Sequence, residues 1–506
     1  MPARFPLRNR LIPHPLVFVL LLLGFGVRAR AIECTDFSEG TRVNDWMAGH
    51  QTSLALAYAP DGTLSAAWSD HRAPLTPEVY YARSVDHGQN FGASVKVCPG
   101  VTLRVAGSPV VDDGPGGAIT VVWAGEEVNG LDVYLVRSTN GGANFSDPIC
   151  VNDLTPGDES LPGLCITAGG ITYVAWIEHP SGSGSPEVRM SRALPGQPFG
   201  ASVLVNHGAA ATSCECCNLD VAVIGEDEVY VAFMANMNYV RDIYVSRSTD
   251  SGATFGEPVQ INDGHWLEPS CPISGPRLLV GPQDDLHTVW LDRHDFANQP
   301  SVYYARSINR GQKFSPPRRL NEEGAYVTGH PHVAITGDGV VHTVWENYND
   351  ATSIVNIVYS ASNDGGASFS PPCPLGTGST FFQGVPSAVV APEGNLTIGW
   401  QDDRSGTIDV YLANVLAVTS TSDAPPTQLF FRAGPNPFTS ALAIELSSPS
   451  AVLIHDVSGR LIREFPASGP RLVWDGRDHD GQAAPAGIYF LQLPAAEACI
   501  KVARVP

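Results

Sequence analysis

A repeat of about 55 residues runs through residues 50–418 and restricts the fold more than any other feature of the chain. Its first marker is a large aromatic that ends an apolar run: Trp68, Trp123, Trp176, Phe233, Trp290, Trp345 and Trp400. A second marker follows one hairpin later, at Phe91, Phe145, Phe199, Phe255, Phe314 and Phe369. Two series that stay in step over this length define one structural unit used many times. Inside a unit, short runs of β-branched and aromatic residues are cut by Gly and Asp turns, which is the pattern of strands. In the first copy, a strand at Ser53–Ala59 turns at Asp61-Gly62 into a second strand, Ser65–Trp68. The third carries Val79-Tyr80-Tyr81, and a tight hairpin leads to a fourth. No stretch sustains a 3.6-residue apolar period, so helix is scarce. Four-stranded units of this length, stacked radially, predict an all-β propeller. Seven aromatic markers predict seven blades, with six as the alternative if one unit is irregular.

The last unit stops after its third strand, near Leu416, and lacks the second marker. A matching fourth strand stands at the other end of the chain. Val43-Asn44-Asp45 repeats the fourth-strand ends Val151-Asn152-Asp153, Val205-Asn206-His207, Ile261-Asn262-Asp263 and Leu320-Asn321-Glu322. Thr41–Asp45 is therefore predicted to complete the final blade and remove its free edge.

The chain has 506 residues, 43% hydrophobic and only 16% charged, enough for several well-buried domains. The 50 Gly and 41 Pro suit many tight turns. A net charge of -21 repels phosphate backbones and anionic membranes, which argues against a nucleic-acid partner. Residues 1–31 have the layout of a secretory signal: Arg4, Arg8 and Arg10, an apolar run from Leu16 to Phe25, and Ala29-Arg30-Ala31. A secreted or cell-surface protein is expected. In that setting the ten cysteines favour three or more disulfides.

The third-to-fourth strand hairpins share a string. It is clearest as Ser84, Asp86, Gly88 and Phe91, again as Ser248, Asp250, Gly252 and Phe255, and in the Ser362–Phe369 copy with Asp364. Ser138–Phe145 and Ser307–Phe314 carry Asn140 and Asn309 in the Asp place. Asp or Asn accepts backbone N–H groups of the turn, Gly permits a positive φ, and Phe buries its ring. Each loop has too few carboxylates for calcium.

These strings resemble the Asp-box, or BNR repeat, of sialidases and related propellers. The resemblance implies a sialidase-like propeller over 32–418, with the boxes at the outer rim and away from any central site. Sialidases hold a carboxylate with three arginines and use a Tyr–Glu nucleophile pair and an Asp acid/base. This chain departs from that pattern. The early Arg-Ile-Pro motif is absent, Thr41-Arg42-Val43-Asn44 standing in its region, and no Tyr or Glu matches the nucleophile pair.

Candidate binding residues remain. Arg72, Arg293 and Arg404 follow the second-strand Trp of their units, and Arg241 precedes a third strand. Their repetition with the unit equally suits loop salt bridges. His330 and His332 begin a first strand, where they either line the channel or serve as polar strand-end residues. Cys214, Cys216 and Cys217, with Cys271 one blade on, form the most distinctive local feature. They are expected to form disulfides that cross-link blades four and five; a soft-metal site with His265 is the other reading. No cofactor or metal is expected, since no Gly-x-Ser-x-Gly, His-Glu-x-x-His or phosphate-loop motif occurs.

Thr419–Thr427 has the composition of a linker. Residues 428–506 then show short strands suited to an Ig-like sandwich. Pro435-Asn436-Pro437-Phe438, Asp456-Val457-Ser458-Gly459-Arg460 and Trp474-Asp475-Gly476-Arg477 resemble the Ig-like domain of flagellar hook-capping proteins and the C-terminal sorting domain of type IX secretion. That resemblance implies a bacterial exported protein attached to the cell surface through this module. Three functions follow: binding of an extracellular glycan or protein ligand, exo-glycosidase activity of the sialidase type, or a structural propeller.

Overall fold

The computed structural model describes residues 36–37, 40–72, 76–99, 104–105, 107–127, 130–153, 157–182, 184–264, 274–293, 300–322, 325–349, 353–375, 381–415, 431–434, 438–446, 452–457, 459–465, 471–493 and 498–505. The signal segment 1–31, Cys34, His265, Cys271, the 419–427 linker and Pro435-Asn436-Pro437 lie outside them. The chain divides into two compact units, Met1–Val418 and Thr419–Pro506.

The first unit is a succession of seven antiparallel sheets. Sheet 1 runs Gln51–Tyr58, Leu64–Asp70, Glu78–Ser84, Val95–Lys96. Sheets 2 to 6 repeat this meander, with first strands at Val110–Gly114, Gly157–Ile166, Asp220–Ile224, Arg277–Val280 and Tyr326–Ile335. Sheet 2 also carries the short Arg104–Val105 piece on its second strand. Sheet 7 consists of Gln383–Val390, Leu396–Asp402 and Asp409–Val415, and its fourth strand is Thr41–Arg42. Thr41 pairs Leu412 and Arg42 pairs Tyr411. Each first strand packs against that of the next sheet, and Gln383–Val390 packs against Gln51–Tyr58, so the sheets close a propeller ring.

The seven aromatic markers occupy one environment. All are at most 2% exposed. Each stands opposite a third-strand residue, as in Trp68 with Tyr80, Phe233 with Tyr244 and Trp400 with Tyr411. Truncating a side chain of this kind costs about 3–5 kcal/mol. The strands run past the marker by two or more residues, to Asp70 and to Asn349, beyond the ends expected from hydropathy.

The Val-Asn-Asp string has a concrete job. Asn44 Oδ1 accepts Val410 N–H at 3.0 Å. Asn152, Asn262 and Asn321 accept Val133, Ile243 and Val302 N–H at 2.8, 3.0 and 2.9 Å. In each case the fourth-strand asparagine caps the start of the neighbouring third strand, a group otherwise buried without a partner.

The box hairpins repeat one hydrogen-bond set. Ser84 Oγ donates to Asp86 Oδ1 and accepts Gly88 N–H, both at 2.7 Å, while Asn90 N–H reaches Asp86 Oδ1 at 2.9 Å. The Ser248/Asp250 and Ser362/Asp364 copies match it. Hydrogen bonds from Asn90, Thr254 and Ser368 side chains, helped by Ser84, Ser248 and Ser362, hold Asp86, Asp250 and Asp364 at about 2. The glycine also meets the preceding sheet. A Cβ on Gly88 would press on Leu412, on Gly142 on Tyr81, on Gly252 on Met190, on Gly311 on Tyr230 and on Gly366 on Tyr304. The Phe rings reach the same neighbour, Phe145 edge-on to Tyr81 at 5.3 Å and Phe369 to Tyr304 at 4.9 Å. Phe91, Phe255 and Phe369 stay half-buried. The boxes thus latch sheet to sheet as well as closing their own turns.

The second unit has a three-stranded sheet, Phe431–Gly434, Leu442–Leu446 and Arg471–Trp474. A four-stranded sheet orders Leu461–Phe465, Val452–Asp456, Gly487–Leu493 and Ala498–Arg504. Leu442, Ile444 and Trp474 of one and Ile454, Leu491 and Val502 of the other share one apolar core. The Phe431–Gly434 strand falls where no strand was expected.

Candidate functional site at the channel mouth

First strands of six sheets, and the segment leading into the first strand of sheet 4, line one cavity of about 320 Å³. Its polar lining comes from Ser53, Ser108, Asn218, Ser274, Arg277, His330, His332 and Ser387. No carboxylate lines it among the described residues. The wall is shaped by a recurring break in strand register. Pairing shifts between Thr52 and Ala55, Ser160 and Gly163, Gly329 and His332, and Gly384 and Ser387. Ser53, Leu161, His330 and Val385 take positive φ at these bulges. Such conformations are costly for non-glycine residues and re-aim the strand.

Below the bulge, Ala55, Val110, Gly163, Asp220, Arg277, His332 and Ser387 hold equivalent positions, each opposite the residue before its sheet's aromatic marker. Ionisable side chains at this position are thus confined to sheets 4 to 6. Asp220 Oδ2 accepts Leu278 N–H of the next sheet at 3.0 Å, and His332 Nδ1 accepts Ala388 N–H at 3.3 Å. Two residues further along, Asp112 Oδ2 accepts Ile166 N–H at 2.8 Å in the same manner. Burial, with the Arg277 charge beside it, pushes His332 down to about 3, which keeps Nδ1 an acceptor. His332 is accordingly an inter-sheet strut.

His330 faces the mouth. Its Nδ1 lies 2.8 Å from Glu346 Oε1, which also accepts Val385 N–H at 2.5 Å. Its own N–H donates to Ser274 Oγ at 3.2 Å. Ser274 and His330 therefore meet on one side of the channel, and Arg277 lines the same cavity. Arg277, Ser274 and Glu346 were not singled out from the sequence. The signal was present: Pro276-Arg277 stands in its repeat where Pro331-His332 stands in the next.

The arginines that follow the markers are tied down. Arg72 donates Nε to Asp70 Oδ1 at 2.9 Å and Nη2 to Asp70 Oδ2 at 2.8 Å, and lies 3.7 Å over the Tyr80 ring. Arg404 contacts Asp402 Oδ2 at 2.5 Å and the Tyr411 ring at 4.4 Å. Burial raises the Asp402 carboxyl, but Arg404 and the Trp400 N–H outweigh it and hold it below the usual range. Arg241 is buried and donates to Cys214 Sγ at 2.9 Å. Arg72, Arg241 and Arg404 are absent from the cavity lining, as is Arg293, which follows Asp292 at the end of its strand.

The cysteines depart from the expected cross-link in one respect. Cys214 pairs with Cys217, within the approach to a single first strand, so this bridge spans no two sheets. Cys216 is also disulfide-bonded and lines the cavity. Cys98 and Cys165 are free thiols, and burial raises both.

No family model matches the chain, and no curated protein does. Solved structures do. An α-L-arabinofuranosidase of Fusarium graminearum in complex with an iminosugar inhibitor is 11% identical, covers 76% of this chain and 100% of its own, with a TM-score of 0.48. An ulvan lyase bound to a GlcA–rhamnose-3-sulfate repeat is 10% identical, covers 74% and 92%, with a TM-score of 0.48. The NanB sialidase of Streptococcus pneumoniae is 12% identical, covers 75% and 70%, with a TM-score of 0.41. Similarity at this level carries no argument about chemistry.

Proposed function

We propose that this chain is an exported, seven-bladed, sialidase-like propeller that binds an extracellular glycan at its channel mouth without hydrolysing it. Its C-terminal module, in this reading an Ig-like sorting domain, attaches the protein to the bacterial surface. The observation that carries the proposal is the lining. Hydroxyls, an amide, imidazoles and one guanidinium suit sugar hydroxyls, which both donate and accept. A glycosidase needs two carboxylates within about 5–10 Å across the substrate, and the described lining supplies none. Exposed aromatics stand at the same end of the sheets: Trp46, Tyr239, Tyr326 and Phe381 are 47%, 59%, 42% and 43% exposed, beside first-strand starts or second-to-third strand turns. Flat rings with apolar faces give sugar rings a stacking surface.

The test is retention on an immobilised glycan array, with a fluorogenic glycoside panel run in parallel. The wild type retains a glycan and releases no fluorophore. Arg277→Met weakens retention about 10- to 100-fold, the worth of a charged hydrogen bond, and Arg404→Ala leaves it unchanged. An empty array refutes glycan binding. Turnover of a sialoside refutes the non-catalytic reading in favour of a hydrolase.

A further inference from the structure

Sulfur is concentrated where the chain approaches the first strand of sheet 4. The Sγ atoms of Cys214, Cys216 and Cys217 lie within 4.8 Å of one another. Met234, on the second strand of the same sheet, brings its thioether to 3.6 Å from Cys217 Sγ. Cys214, Cys217 and Met234 are fully buried, while Cys216 is half-buried on the channel wall. Arg241, only 1% exposed, points Nη1 at Cys214 Sγ from 2.9 Å and reaches Glu215 at 3.6 Å.

We propose that the reduced form of this cluster is a copper(I) site, with the thiolates of Cys214, Cys216 and Cys217 and the thioether of Met234 as ligands. The inference is independent of the glycan reading. Thiolate and thioether donors together select copper(I), whereas zinc sites draw on Cys, His and carboxylates. Met234 therefore decides between the two metals. Arg241 supplies the electrostatics. A guanidinium beside a thiol favours the thiolate. Three thiolates around one monovalent cation leave a net charge of two negatives, which the buried arginine partly offsets. Cys216 gives the ion a route in from the channel.

Activation requires an external dithiol. It transfers two electrons and two protons to the Cys214–Cys217 bridge, becoming a disulfide itself as the two protein sulfurs become thiols. A second equivalent frees Cys216 from its own bridge. Each thiol that then ligates copper(I) releases its proton to solvent, and the copper stays monovalent throughout.

The full chain is reduced without oxygen and titrated with copper(I) against a coloured copper(I) chelator. The expected result is one equivalent held by the reduced wild type, none by the oxidised wild type, and none of that equivalent by Cys214→Ser/Cys217→Ser. Met234→Leu, which keeps the apolar volume, weakens binding about tenfold, or about 1.4 kcal/mol. X-ray absorption shows a first shell of sulfur alone. Should the double variant fail to fold, Met234→Leu and the absorption shell still decide. Copper uptake that does not depend on reduction, a first shell containing nitrogen or oxygen, or unchanged affinity in Met234→Leu overturns the proposal.

Discussion

Replacing Asn44 by alanine should open the ring at one place. The Asn44 amide nitrogen donates to Asp409 Oδ1 at 2.8 Å and Trp46 O at 2.7 Å, with Gln51 Oε1 3.2 Å away sharing one of its two hydrogens, and its oxygen accepts Val410 N–H at 3.0 Å. Asn44 is 2% exposed and Asp409 is fully buried. Asn44→Ala leaves the Val410 N–H and one Asp409 carboxylate oxygen without partners. Ser405 at 2.6 Å and Arg42 at 3.8 Å still serve the other oxygen. Each orphaned buried group costs about 1–3 kcal/mol, so a loss of about 3 kcal/mol is expected. The loss falls on local opening of sheet 7, because Thr41–Arg42 is held there by pairing with Asp409–Val415. Amide exchange over Asp409–Val415, read by mass spectrometry, should speed up more than a hundredfold. Asn152→Ala is the control. It loses the matching bonds to Val133 and Asp132 at 2.8 Å, but its strand continues covalently on both sides. Unchanged exchange at Asp409–Val415 in Asn44→Ala would refute the closure argument.

Two further outcomes are expected. Gly366→Ala should destabilise the first unit by about 2–5 kcal/mol, combining a left-handed backbone with overlap on the Tyr304 hydroxyl. Gly339→Ala, left-handed but facing open space, should lose only the backbone part, and equal denaturation midpoints for the two would disprove the latch. Glu159 is 1% exposed with neither carboxyl oxygen hydrogen-bonded. Burial, then the Asp132 and Glu178 charges, raise it to about 8. Between about 4.5 and 8 the folded chain holds a proton that the unfolded chain releases, so stability falls as pH rises, by up to about 1.4 kcal/mol per unit. Gln51 and Gln383 stand opposite Asp70 and Asp402 as Glu159 stands opposite Glu178. Glu159→Gln should therefore stabilise at pH 8 and be neutral at pH 4, and pH-independent melting of wild type relative to the variant would contradict this.

The frame of the molecule was legible because it rests on local rules applied many times. Trp68 through Trp400 announce the same slot, and the box strings announce the same turn. Asn44 showed its partner strand by likeness to Asn152 and Asn262, although the hydrogen bond it makes spans the whole unit. What stayed hidden depends on which side chains meet across sheets. Arg72 and Arg404 looked like binding groups, but their use is set by Asp70 and Tyr80, and by Asp402 and Tyr411. His332 gave no hint that Ala388 N–H would claim its ring. Ser274 becomes a neighbour of His330 only through the bulge, which a strict two-residue alternation does not foresee. The pairing of Cys214 with Cys217 likewise follows from a tight local bend, not from spacing between units.

The asparagine contact that joins residue 44 to strand Asp409–Val415 is the one found within sheets whose four strands follow one another along the chain. To the ring, a covalent continuation and a mere contact are thus interchangeable. Any of the fourth-strand connections could serve as the seam. A permuted first unit cut in the Ser138–Phe145 hairpin, with Val415 and Thr41 joined by a turn, would present Asn152 as its closing residue and should circularise equally well.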